Sequence, residues 1–244
     1  MLAIIGGSGL AGLTDLSDTR RRVVRTPYGD PSCALTFGRI GSTDIAFLAR
    51  HGYGHTLAPH EINYRANIWA LREVGVERII AVATVGGIRE DLGPGELIVP
   101  DQIIDYTHGR QATYFEGTDA AVIHADFTEP YDAGLRGLLL EAARRVGESV
   151  HDGGCYGCTQ GPRLETAAEI RRMARDGCDL VGMTGMPEAL LARELGLQYA
   201  CLAVVANHAA GLGSSREQIS MEGIRAVLDT AIGRVHGLLS AVCC

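Results

Sequence analysis

The chain has 244 residues, 46% hydrophobic and 21% charged, an ordinary globular balance long enough to bury a sizeable core in one large α/β domain or two small ones. Its net charge of −7 and the lack of a basic stripe argue against a nucleic-acid partner. No apolar run approaches the roughly 20 residues of a membrane span, and the short apolar start Met1–Gly7 lacks the basic flank of a signal peptide. The seven cysteines are an odd number, and Cys33, Cys178 and Cys201 lie in apolar stretches, which predicts buried thiols in a reducing cytoplasm. Cys155 and Cys158 form a CxxC pair with no second pair to complete a zinc site, so no metal is expected. Nothing in the sequence demands a redox role for Cys243 and Cys244.

In chain order, strands are predicted at Leu2–Ile5, Cys33–Phe37, Asp44–Ala49, Arg78–Thr84, Glu96–Ile104, Asp179–Gly182 and Tyr199–Ala206. Arg20, Arg21, Arg22 and Arg25 read as a solvated edge. Helical spacing covers Glu61–Val74, with Trp69 on the core side, and Ala133–Val146, whose Arg144 and Arg145 suit the helix C-terminus. Thr166 and Glu169 form a capping box opening Ala167–Arg175, which Gly177 closes. Pro187 opens Pro187–Leu195, and a last helix runs from about Ser215 to Ser240. Alternating strands and helices without a linker or repeat indicate one α/β domain over residues 1–244.

The strand Asp44–Ala49 ends abruptly in Arg50-His51, followed by glycines at 52 and 54. Strand C-termini are where ligands sit in α/β proteins, and arginine offers a fork of donors suited to phosphate or carboxylate. An anion site is one reading; a loop arginine paired with a nearby Asp or Glu is the other. Gly7-Ser8-Gly9-Leu10-Ala11-Gly12 matches GxGxxG after the first strand. Residues 10–25 do not read as the helix a dinucleotide fold requires, so a glycine turn presenting N–H groups and the Ser8 hydroxyl to an anion is preferred. A non-catalytic nucleotide-binding module is the rival from a different class. Thr84 with Gly86-Gly87, and Thr184 with Gly185, repeat the pattern of strand end, hydroxyl and glycine. Each threonine alone is more often a cap than a ligand; with Arg50-His51 they would give an anion several neutral donors and one firm cation.

These motifs carry a resemblance. Gly6-Gly7-Ser8-Gly9-Leu10, Thr26-Pro27-Tyr28-Gly29, Arg50-His51-Gly52-x-Gly54-His55, Asn63-Tyr64-x-x-Asn67, Gly93-Pro94-Gly95, Gly161-Pro162-Arg163 and Met183-Thr184-x-x-Pro187-Glu188 occur in order along nearly the whole chain. The sequence resembles the trimeric branch of the purine nucleoside phosphorylase and methylthioadenosine phosphorylase family. The resemblance implies a mixed β-sheet flanked by helices and an enzyme that cleaves a nucleoside with inorganic phosphate as co-substrate. It implies no metal, no organic cofactor, and a homotrimer or a dimer of trimers. It implies further that Ser8, Arg50, His51, Thr84, Thr184 and the backbone at Val85 hold phosphate, and that Met183 packs on the ribose.

Two positions bear on the base. Glu165 stands where the adenine-specific branch has serine and the 6-oxopurine branch has glutamate. Asn207 stands in place of an aspartate of adenine-specific relatives, and Ala209 in place of their second one. A carboxylate accepts from N1–H of hypoxanthine or guanine, and an amide NH₂ donates to N7 or O6. The plain alternatives are a helix N-terminal charge for Glu165 and a turn residue for Asn207. At the sugar, Ile219, Met221 and Ile224 replace the polar contact of ordinary nucleoside enzymes and suit a 5′-methylthio group; the alternative is a core-facing helix side. Leu164 joins the substrate-binding set. His124 matches a histidine lent across a subunit interface. The chain ends soon after His236-Gly237-Leu238-Leu239, shorter than longer relatives. A 6-oxopurine base with a methylthio sugar is the expected substrate, ahead of methylthioadenosine or of inosine and guanosine generally.

Overall fold

The computed structural model describes residues 1–10, 12, 13, 15–117 and 122–243, so Cys244 lies outside the described residues. Its sheet is organised on β5 (Arg78–Gly87), a ten-residue strand. β5 pairs in parallel with β1 (Leu2–Gly6) and with β11 (Gln198–His208). β1 also pairs in parallel with β4 (Thr43–Ala49), so four neighbouring strands point the same way. Such strands are buried on both faces and read as unbroken apolar runs. Ile79–Ala83 and Ala200–Ala206 are runs of that kind.

Alternate residues of β5 feed two cores, as the period of a strand requires. Ile79, Ala81 and Ala83 pack with Ile68 and Leu71 of α1 (Tyr64–Glu73) and Ala189 and Leu191 of α4 (Glu188–Glu194). Ile80 and Val82 pack with Leu135 and Leu139 of α2 (Ala133–Val146) and Val235 and Leu238 of α5 (Met221–Cys243). By length and mean hydropathy (1.3), α5 could cross a membrane, which the sequence reading did not anticipate. Its Ala231, Val235, Leu238 and Leu239 are instead buried in the second core. A third, smaller cluster joins Ile170 and Met173 of α3 (Ala167–Asp176) to Cys178, Val181 and Ala209.

Most expected elements are present, and the exceptions have physical reasons. The basic run belongs to β2 (Ser17–Arg22), a fully exposed edge strand on β3 (Leu35–Ile40). The turn after β1 therefore leads into an edge strand rather than a crossover helix, which removes the dinucleotide reading. Glu96–Ile104 divides at Pro100-Asp101 into β6 (Leu97–Val99) and β7 (Gln102–Asp105); proline cannot donate to a ladder. Besides β2, two strands were not expected, β8 (His151–Asp152) and β9 (Cys155–Cys158). On a strand, residues three apart face opposite ways. Cys158 Sγ accepts from the Met186 amide at 3.2 Å, on the face away from Cys155. β10 (Leu180–Gly182) lies between β9 and the end of β5. The Thr166–Glu169 capping box and the left-handed Gly177 bound α3 as predicted.

Candidate active site

β1, β4, β5 and β11 deliver their C-terminal ends to one cleft of about 920 Å³. It is walled by Ser8, Arg50, His51, Thr84, Val85 and Thr184, and by Met183, Leu164, Glu165, Asn207 and Ala209. Ile219, Met221 and Ile224 line it from the start of α5. Every predicted site residue is thus brought to one cavity except His124, which is exposed and does not line the cleft of its own chain.

Arg50 follows β4 directly and is 1% exposed. Its Nε and Nη2 donate to the two oxygens of Glu188 at 2.7 and 2.8 Å, a bidentate pair, and Nη1 donates to the Val82 carbonyl at 3.0 Å. Glu188 is 0% exposed and also accepts from the Tyr199 hydroxyl at 2.8 Å. Arg50 thus lines the cleft and is paired with a carboxylate, but as a buried residue rather than on a surface loop. Burial alone would depress the guanidinium, but the Glu188 carboxylate outweighs it and its pKa is raised. Three of its N–H groups are used by Glu188 and Val82, which leaves two of five for an anion. The expected firm cation is thus compensated from behind. Gly7 lies over it: a Cβ there would sit 2.6 Å from the Val82 oxygen and 3.1 Å from Arg50 Nη1, so only glycine lets the first turn approach.

His51 is buried, and its Nδ1 donates to the Leu57 carbonyl at 2.8 Å. Burial, then the Arg50 charge, push its pKa down to about 4. The ring is neutral at pH 7, with its lone pair on Nε2, so it is an acceptor suited to a P–OH group. The His55 ring packs against it, tilted by 37° with centroids 4.3 Å apart, and reaches the Ser8 hydroxyl at 3.5 Å from a left-handed backbone (φ 57°). Thr84 donates to the Ser8 carbonyl at 3.1 Å and so fixes the glycine turn against β5. This wall of the cleft is built from neutral donors and half of a guanidinium, with little net positive charge.

Elsewhere in the cleft lining, Glu165 Oε1 accepts from the Thr159 hydroxyl at 2.5 Å. Asn207 sits at a bulge in β11: the register with β5 slips between Val205 and Asn207. A bulge re-aims a side chain, and this one turns Asn207 into the cleft, where Nδ2 donates to the His208 carbonyl at 2.6 Å. Neither Ile219, Met221 nor Ile224 belongs to the buried set of α5, so the core-facing alternative for this trio fails. Leu228, one turn on, covers Gly9.

Several contributors were not legible in sequence. Glu188 and His55 fell inside quoted motifs without a role. Arg110 gave no signal; its guanidinium donates to the carbonyls of Met183 at 2.9 Å, Met186 at 2.5 Å and Gln160 at 2.8 Å. It ties the Gly161–Glu165 loop to the Met183 loop, two segments that line the cleft. Among the described residues no group of three His, Cys, Asp or Glu side chains could hold a metal.

A cleft lined by hydroxyl, guanidinium and imidazole groups, by an amide and a carboxylate, and by apolar side chains has the chemistry to take an oxyanion and a nucleoside-sized substrate. The chain matches the Phosphorylase superfamily over residues 1–243 and belongs to it. It is 54% identical, over 99% of its length and 97% of the relative's, to the probable S-methyl-5′-thioinosine phosphorylase of Xylella fastidiosa. It is 49% identical, over 88% of its length and 82% of the relative's, to the 6-oxopurine nucleoside phosphorylase of Pyrococcus furiosus. Among solved structures, methylthioadenosine phosphorylase from Schistosoma mansoni in complex with adenine superposes with a TM-score of 0.94 at 33% identity, covering 99% of this chain and 90% of that one.

Proposed function

We propose that the enzyme cleaves S-methyl-5′-thioinosine with inorganic phosphate, giving hypoxanthine and 5-methylthioribose 1-phosphate. The observation that supports this reading is that Glu165, Asn207, Ser8, Arg50, His51, Ile219, Met221 and Ile224 all line one cleft. The names of similar enzymes, with methylthioinosine or 6-oxopurine nucleosides in them, agree with it.

In the reaction, the C1′–N9 bond breaks and its electron pair leaves on the purine, while a phosphate oxygen bonds to C1′. The sugar passes through an oxocarbenium-like state. A phosphate seated among Ser8, Thr84, Thr184 and the free Arg50 donors lies against that cation, and His51 Nε2 accepts from its P–OH. Negative charge grows on the base, where the Asn207 amide donates to N7 or O6. Glu165 accepts from N1–H, a donor that adenine lacks. A site built to pair a polar group rejects the analogue without it far more strongly than a pocket rejects a methylene. No metal or organic cofactor takes part in this scheme. The enzyme acts in the cytoplasm, as its reduced thiols suit. It is a homotrimer, or two trimers, with His124 reaching a neighbour's sugar site.

Phosphate-dependent release of free base from methylthioinosine, methylthioadenosine, inosine, guanosine and adenosine tests the reading. Methylthioinosine is expected to lead. Equal use of inosine would remove the role given to Ile219 and Met221.

A further inference from the structure

We infer that Thr159 is a positioning residue for base selection, holding the Glu165 carboxylate so that one oxygen is left to read the base. This deepens the proposed function and rests on Glu165 being the reader of N1–H.

Thr159 is the residue immediately after β9 and is only 8% exposed. Its backbone is fixed twice: the amide donates to the Gly182 carbonyl at 2.8 Å, and its own carbonyl accepts from Arg110 Nη2 at 3.3 Å. Its hydroxyl has one proton. Two acceptors compete for it, Glu165 Oε1 at 2.5 Å and the Gly182 carbonyl at 3.3 Å. The shorter contact, to a carboxylate, is the stronger. Glu165 itself is half-buried on the loop before the Thr166 cap. Of its two oxygens, the structure pairs Oε1 with Thr159. Oε2 is then the oxygen that meets the base. Without the Thr159 hydroxyl the carboxylate is free to rotate away from the cleft, and the loss falls on substrates that need its acceptor.

The experiment compares kcat/KM for methylthioinosine and methylthioadenosine in the intact enzyme, in four variants: Thr159→Val, Thr159→Ser, Glu165→Gln and the Thr159→Val/Glu165→Gln double. Loss of a hydrogen bond to a charged group predicts a roughly tenfold fall in the methylthioinosine-to-methylthioadenosine ratio for Thr159→Val. Thr159→Ser, which keeps the hydroxyl, is expected to retain the ratio. In the double variant Thr159→Val is expected to add nothing to Glu165→Gln. Thr159→Val lowering both substrates alike, or costing as much in the Glu165→Gln background as in the parent, would overturn the inference while leaving Glu165 as reader. If Glu165→Gln itself leaves the ratio unchanged, the base reading fails and this inference with it. Thr159→Ser retaining the parent's melting behaviour but losing the ratio would also contradict it.

Discussion

His51 shows how one residue can be legible in type and not in state. Beside an arginine at a strand end it reads as part of an anion site, and the cleft holds it there. The sequence does not say that the ring is neutral, because that depends on burial and on the Leu57 carbonyl fixing Nδ1. The consequence for stability has a definite sign. The folded-state pKa is about 4 against an ordinary 6.5. Between those values the unfolded chain binds a proton that the folded chain does not, so stability from this group is complete above about pH 6.5 and falls as the pH drops towards 4. Urea unfolding of the parent and of His51→Asn at several pH values checks this. The variant is expected to lose stability less steeply over that window; an equal slope would show that His51 is not buried neutral. Glu165 is the complementary case. Its residue type drew the reading, but its partner Thr159 lies six positions earlier, just after a strand whose short CYGC sequence gave no strand signal.

Between elements, the Arg50–Glu188–Tyr199 cluster is the main polar link. It joins the end of β4, the first turn of α4 and β11, and all three side chains are buried. Cutting a buried pair leaves an uncompensated charge, which costs about 3–5 kcal/mol. Glu188→Ala is therefore expected to lower unfolding free energy by roughly that amount, measured by denaturant titration; a change under about 1 kcal/mol, the scale of an exposed pair, would contradict the structure. The parallel strands, α2 and α3 were readable because apolar runs, caps and glycine stops agree locally. β2 was not, because its Ser17–Arg22 sequence is wholly polar and its strand form comes from pairing with β3. The bulge that aims Asn207 was equally hidden, since register is a property of two strands at once.

For the whole molecule, the sequence order of the motifs foretold a single cleft, and the parallel strands β1, β4, β5 and β11 supply the geometry that makes it one. His124 is the one predicted site residue left outside. The proposed subunit-shared site would account for that, and light scattering is then expected to give three or six times the 25.9 kDa of one chain. A monomeric mass with full activity would remove His124 from the site. The central claim concerns the substrate, and one ratio tests it most directly: kcat/KM for methylthioinosine against methylthioadenosine, each at saturating phosphate. The account predicts a preference for methylthioinosine of about a hundredfold or more, the discrimination expected when a buried acceptor is left facing a lone pair. A preference for methylthioadenosine, or no preference, would contradict the roles given to Glu165 and Asn207.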